Sequence, residues 1–301
     1  ASDGEDDDGF GRSVAIDGDT AIVGASGDYD DKTDSGSAYV FRRDEGGFDN
    51  WGDVTKLIPS DDVAGAHFGN AVAISGDTAI VGAYYDSEDG YKFGSAYVFR
   101  RDEGGFDNWG QVTKITPSDA GVHDWFGSSV AICGDTAIVG ANLANAPEFR
   151  RGSAYVFQRD RGGIDNWGEV TKITASDGAT GDAFGISVAI SGDWAIVGAP
   201  RDSDDGIYSG SAYMYKRNKG GSDRWGEVTK ITASDAETGS RFGWSVAISG
   251  DTATVVRYYG IPVAGYAFQQ HAGSQHHVGL AHQALADQKG LDAATAQALD
   301  I

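Results

Sequence analysis

Residues 184–200 read FGISVAISGDWAIVGAP, and the chain says this five times. The phrase is FGRSVAIDGDTAIVGAS from Phe10, FGNAVAISGDTAIVGAY from Phe68 and FGSSVAICGDTAIVGAN from Phe126. From Phe242 it begins again as FGWSVAISGDTATVV and then fails. A fixed period over most of a chain makes it one repeat architecture, whatever its length suggests about domain count.

One full unit runs from Phe68 to Trp125, and four short strands are legible in it. They are AVAI (71–74), TAIVGA (78–83), GSAYVF (94–99) and QVTKITPS (111–118). Each is rich in β-branched or aromatic residues and bounded by Gly, Asp, Asn or Pro. The first two are joined by SGD, where glycine supplies the positive φ of a tight hairpin. The third alternates: Ala96 and Val98 point one way, Tyr97 and Phe99 the other, as in a strand packed on both faces. Four antiparallel strands cannot bury two faces alone; stacking copies around an axis does it, with the small-residue first strand innermost. The predicted fold is therefore all-β, a β-propeller of four full blades and a partial fifth, starting near 10, 68, 126, 184 and 242. A linear β-solenoid is the runner-up, but its repeats are usually shorter. Trp51, Trp109, Trp167 and Trp225 recur just before strand four. They are expected to pack against the neighbouring sheet.

These residues resemble FG-GAP repeats. Phe184-Gly185 with Gly198-Ala199-Pro200 matches the name literally, and the other copies read GAS, GAY and GAN. The resemblance covers about residues 1–256, and 257–301 is left as a divergent tail. It implies blades similar to those of integrin alpha-chain propellers and bacterial surface proteins. It further implies an extracellular (secreted or cell-surface) role in binding or adhesion, without catalysis. This chain departs from the seven blades of integrin-like propellers. It also lacks their long acidic loop between strands one and two. Here that connection is DGD, SGD or CGD, too short for the six or more oxygens of calcium.

The formal net charge is −22. Such a surface excludes a nucleic-acid partner, which needs a basic face. Solvation, calcium loops and attraction of a cationic partner compete to explain it. The lone Cys133 allows no disulfide within the chain. No stretch is long enough to insert in a membrane, and no leader is visible. The opening ASDGEDDDGFG matches ASDGATGDAFG at 175–185, as if cut from a longer protein or freed of a leader.

Two connections vary between copies: strand two to three, and strand four to the next blade. Both emerge on one face, whereas the near-constant RRDEGGFDNWG type emerges on the other. A varied loop face on a constant scaffold suits a binding protein; unconstrained drift of loops gives the same pattern. Within the two-to-three loops a D-x-[DE]-D spacing recurs: Asp28, Asp30 and Asp31; Asp86, Glu88 and Asp89; Asp202, Asp204 and Asp205. These are the candidate calcium ligands, with solvated turn-forming acids as the alternative. Blade three has no copy of them. Tyr29, Tyr84, Tyr85, Trp125 and Tyr208 lie beside these acids or on adjoining loops, and are the candidate ligand-binding residues. Rings next to carboxylates suit a protein ligand or, in a lectin, a sugar.

No nucleophile elbow, HExxH or P-loop is present. His123-Asp124 is expected to be loop surface. After Thr254 the repeat breaks, as a reading-frame shift or fusion would break it. GYAFQQ (265–270) reads as a poor copy of GSAYVF, and the Ala-, Leu- and Gln-rich end favours helix. An open ring would leave a blade edge free for self-association.

Overall fold

The computed structural model describes residues 3–28, 35–61, 63–88, 91–144, 151–219, 221–258, 265–269 and 278–280. It holds five four-stranded antiparallel sheets, each taking its strands in chain order. Blade one is Phe10–Asp17, Thr20–Ala25, Ser37–Arg42 and Gly52–Leu57. Blade two is Ala71–Ser75, Thr78–Ala83, Ser95–Arg100 and Gly110–Ile115, with a small extra hairpin of Ser87–Glu88 and Tyr91–Lys92. Blade three is Phe126–Cys133, Thr136–Ala141, Ser153–Gln158 and Gly168–Ile173. Blade four is Ser187–Ser191, Trp194–Ala199, Ser211–Arg217 and Trp225–Ile231. The fifth has Ser245–Ser249 and Thr252–Val256, then Gly265–Gln269 and a three-residue outer strand, Val278–Leu280. GYAFQ thus takes the third-strand place, pairing with Thr252–Val256. From residue 281 the helix-favouring tail lies outside the described residues, as do His271, His276, His277 and His282.

First strands of successive blades pack side by side, so they line the axis of a β-propeller. The hairpin glycines Gly18, Gly76, Gly134, Gly192 and Gly250 all take positive φ. A ladder ties the hairpins together. The Gly134 amide donates to Ser75 Oγ and that of Gly250 to Ser191 Oγ. Cys133 fills the same slot, its Sγ 3.4 Å from the Gly192 amide nitrogen.

The core lies between blades. Tyr97, Phe99 and Trp109 join a cluster with Ile22, Val40 and Leu57 of blade one. Ala96 and Val98, on the other face of the same strand, join Phe126, Val130 and Ile132 of blade three. The alternation read from GSAYVF is this division of one strand between two cores. Trp109, Trp167 and Trp225 are buried at the interface with the preceding blade.

The signature phrase is the seam. Gly127 of FG has φ +86, and a Cβ there would fall on the Ser95 carbonyl oxygen, far inside van der Waals distance. A Cβ on Gly82 of the preceding GA would fall on the carbonyl of Gly127 itself. The backbones of adjacent blades meet at these two glycines, which no larger residue permits. Serine hydroxyls reinforce the seam: Ser13 donates to Gly69 O, Ser129 to Gly185 O and Ser187 to Gly243 O, at 2.8–2.9 Å. The FG phenylalanine then sits edge-on to two rings of its own third strand. Phe126 meets Tyr155 and Phe157 at 5.6 and 5.9 Å.

Candidate functional site

The two variable connections do share a face, and the backbone fastens them together. Phe68 N–H donates to Ser35 O, Tyr85 N–H to Ala66 O, and Arg241 N–H to Tyr208 O. Beneath these loops each of the four full blades holds a polar cluster built on a constant Lys, Tyr and Asp. In blade one, Lys56 Nζ lies 2.9 Å from both Asp28 and Asp3. The Tyr39 hydroxyl lies 2.8 Å from the same two carboxylates. In blade two, Lys114 is 2.6 Å from Asp61 and from Asp86, with Tyr97 2.9 Å from each. In blade four, Lys230 reaches Asp177 and Asp202 at 2.8 Å and Asp204 at 2.6 Å.

The first aspartate of each D-x-[DE]-D motif (Asp28, Asp86, Asp202) is therefore buried. It faces a lysine ammonium and a tyrosine hydroxyl. Burial pushes Asp28 and Asp202 toward the neutral form. Hydrogen bonds outweigh that and hold both below the usual carboxylate range: from Ser37, Lys56 and Tyr39 at Asp28, and from Lys230, the Asp204 amide and Tyr213 at Asp202. Burial likewise opposes the charge on Lys230, but its three aspartates raise its pKa well above that of a free lysine. Burial, then the carboxylates, push Tyr97 and Tyr213 above the usual phenol range. Asp28, Asp202 and Lys230 thus stay charged, and Tyr97 and Tyr213 neutral, at neutral pH.

Of the remaining candidate ligands, Glu88 and Asp205 are described. Asp205 is exposed, and Glu88 lies in the small hairpin of blade two. Asp30, Asp31 and Asp89, with Tyr29, lie outside the described residues. Among the described residues no group of three or more His, Cys, Asp or Glu side chains is arranged to hold a metal. A calcium ion at Asp28, Asp86 or Asp202 would have to displace the ammonium already there. His123-Asp124 is only half loop surface: His123 is exposed, but Asp124 is buried and accepts the Gly121 amide at 2.7 Å.

Three of the candidate aromatics do converge. Tyr84 and Tyr85 have ring centroids 4.4 Å apart, and each meets Trp125 edge-on, at 5.6 and 5.5 Å. His67 completes the group, stacked on Tyr84 at 5.5 Å. Lys92 Nζ sits 4.2 Å over the Tyr85 ring. All four rings are half-buried. They come from the loop preceding blade two, the two-to-three loop of blade two and the loop preceding blade three. Trp125 has φ +59 and His67 φ +54. The two occupy equivalent repeat positions, just before FG. Tyr208 stands apart, exposed and also at positive φ. An open pocket of about 650 Å³ borders the cluster, lined by Asp7, Phe10, Arg12, Ser26, His67 and Tyr84. Its rim carries the carboxylate of Asp7, the guanidinium of Arg12 and three rings, Phe10, His67 and Tyr84. A weaker echo occurs at the far end, where Trp244 and Tyr258 lie 4.4 Å apart.

His67 and the lysines were not singled out from the sequence. The signal was present: VTK places a cation in strand four of each of the four full copies, and SAY a tyrosine beside it.

Five stretches, 1–41, 51–99, 109–157, 167–215 and 225–264, match the FG-GAP repeat family pattern. No curated protein matches the chain. Among solved structures it is similar to Sqt1 from Chaetomium thermophilum, at 15% identity and TM-score 0.55. The match covers 90% of this chain and 61% of that one, so the chain spans about three fifths of Sqt1. It is also similar to a protein from Lactobacillus plantarum, at 13% identity and TM-score 0.55, covering 89% and 69%. At such identities the likeness is one of fold alone.

Proposed function

We propose, from the premise that this chain belongs to the FG-GAP repeat family, that it is a non-catalytic extracellular binding module working through its loop face. The observation that carries this is the group His67, Tyr84, Tyr85 and Trp125 beside an open, charged pocket. Half-buried rings held by neighbouring rings offer large contact area at little entropic cost. A scaffold of buried, near-identical seams holds them. No helix among the described residues is long and apolar enough to cross a membrane.

The ligand is a protein or a glycan. Half-exposed rings can stack on sugar faces while Asp7 and Arg12 bond hydroxyls, which favours a lectin as the second reading. The net charge of −22 favours partners that are neutral or cationic. The test is Tyr84→Ala with Tyr85→Ala, read against a glycan array and against captured surface proteins. Loss of a signal given by the unmutated protein, with the melting curve retained, supports the site. A signal untouched by the double substitution moves the function elsewhere on the molecule.

A further inference from the structure

Three apolar side chains stand in water on the face opposite the variable loops. Phe48, Phe106 and Ile164 are 97%, 95% and 94% exposed. They occupy one repeat position, the tip of the near-constant connection between strands three and four. That connection is pinned to the first hairpin of its own blade: Arg43 N–H donates to Asp19 O, Arg101 N–H to Asp77 O and Arg159 N–H to Asp135 O. The three tips therefore share the hairpin end of the sheets. The polar residues beside them hold each turn. The Asp49 amide donates to the Asp44 carboxylate, that of Asp107 to Asp102 and that of Asp165 to Asp160. Asn50, Asn108 and Asn166 donate side-chain N–H groups to Gly46 O, Gly104 O and Gly162 O. Folding accounts for these residues and leaves the tips without a task. Single exposed apolar residues are ordinary, but the same place three times running is not scatter.

Ion pairs between blades fix the tips in a row. Arg42 of blade one reaches Asp107, the residue after Phe106. Arg100 of blade two reaches Asp165, the residue after Ile164, at 2.6 Å. The next link is missing, because the repeat position of Arg42 and Arg100 is Gln158 in blade three. The apolar tip ends at that same boundary: its place in blade four is Ser222. Tip and charged link thus stop together. The loops are also close to neutral in a chain of net charge −22. From 42 to 50 two arginines offset three acids, from 100 to 108 likewise, and from 158 to 166 two offset two.

From this we infer that the constant face seats the protein on a zwitterionic lipid surface, with Phe48, Phe106 and Ile164 dipping into the boundary between headgroups and acyl chains. The three prongs belong to separate blades. A protein partner would need three pockets at the blade spacing, whereas a fluid bilayer admits any spacing. Phenylalanine and isoleucine share the position, which an apolar medium reads alike and a pocket shaped for a ring does not. A contact of this kind lies on the membrane and needs no spanning segment. One prong alone binds marginally; three held in a rigid body act together. The net charge of −22 rules out attraction to anionic lipid as the driving force. The variable loops then face away from the lipid.

The experiment is sedimentation of the full chain with phosphatidylcholine vesicles. Serine is the substitution to use, being blade four's own residue at the tip, and the melting curve should be the same in every variant. The unmodified chain should sediment with the vesicles. Phe48→Ser and Phe106→Ser should each lower the partition coefficient about tenfold, as expected for part of one ring returned to water. The triple variant with Ile164→Ser should stay in the supernatant. Tyr84→Ala with Tyr85→Ala should bind vesicles as the unmodified chain does, which keeps this proposal separate from the loop-face reading; a loss there moves the lipid contact to the loop face and overturns it. An unmodified chain that ignores phosphatidylcholine overturns the proposal and leaves the prongs to a protein with apolar pockets. Binding that survives in the triple variant overturns it too. So does binding that requires phosphatidylglycerol and disappears in salt, because charge and not the prongs would then carry it.

Discussion

Phe10 and Phe126 occupy the same repeat position and make the same edge-on contacts with two rings of their own blade. Yet Phe126 is fully buried and Phe10 is 44% exposed. The contrast runs down the strand. Val14 and Ile16 are 68% and 65% exposed, whereas Val130 and Ile132 are buried. Trp51 is exposed at the edge where Trp109, Trp167 and Trp225 are sealed. A blade of this repeat carries half of two cores and completes neither. Its stability is a property of the seam, as in other quasi-one-dimensional repeats.

The sharpest test of that contrast is at the glycines. Gly127→Ala forces a Cβ onto the Ser95 carbonyl and strains a residue at φ +86. It should cost more than about 3 kcal/mol, because neither backbone can yield without opening the seam. Gly11 is its counterpart in blade one, at φ +87, with nothing within 4 Å of a built Cβ. Gly11→Ala should cost only the strain, about 1 kcal/mol. Equal losses in denaturant unfolding would show that conformation, rather than the seam, selects glycine.

Next comes the aromatic pair. Phe126→Ala removes a fully buried ring and should cost about 3–5 kcal/mol. Phe10→Ala, whose ring is already half in water, should cost less than half of that. If the two agree, blade one is covered in solution by something the chain's own blades do not supply.

The seam was also the most legible feature of the sequence. FG, GD and GA recur in register because backbone geometry leaves them no alternative, and the period of SAYVF declares a strand with two packed faces. The site was legible only in part. Tyr84, Tyr85 and Trp125 stand out as rings in variable loops, but His67 reaches them from the end of the previous repeat. The partner of the acids was less legible. Asp86 looks like a cation ligand, and it does face a cation, but that cation is Lys114 in strand four, joined by Asp61 from another loop. Spacing along one loop cannot reveal a partner delivered by the sheet.

That internal cation gives a third, smaller contrast between copies. Lys230→Met strands Asp177 and Asp202 with no ammonium, and should cost about 2–3 kcal/mol, lowered from the fully buried range by solvent access. Lys172→Met strands Asp119 alone, a half-exposed carboxylate, and should cost under about 1 kcal/mol. The pH dependence follows in sign. Carboxyls held below their unfolded range add stability that is complete above about pH 4. That stability is lost as pH falls through their folded values. The melting temperature should therefore drop on the acid side of pH 4, and Lys230→Met should flatten that drop. A variant with an unchanged acid limb would mean that Lys230 is not what holds these pKa values down.

The smallest effect expected is that of calcium. A divalent ion bound only by the folded chain would raise the melting temperature, and EDTA would lower it. At Asp28, Asp86 and Asp202 one carboxylate oxygen already serves an ammonium 2.6–2.9 Å away. Displacing that ammonium would leave a buried lysine without a counter-charge, which offsets what the new ion gains. Calcium and EDTA should thus give the same midpoint within error for the unmodified chain. The informative case is Lys114→Met, which opens Asp61 and Asp86 to a competing cation. A calcium-dependent rise confined to that variant would show that the acidic loops are built like cation sites, with the cation supplied by the repeat itself. A rise already present in the unmodified chain would put calcium on the loop face and return the motif Asp202-x-Asp204-Asp205 to metal binding.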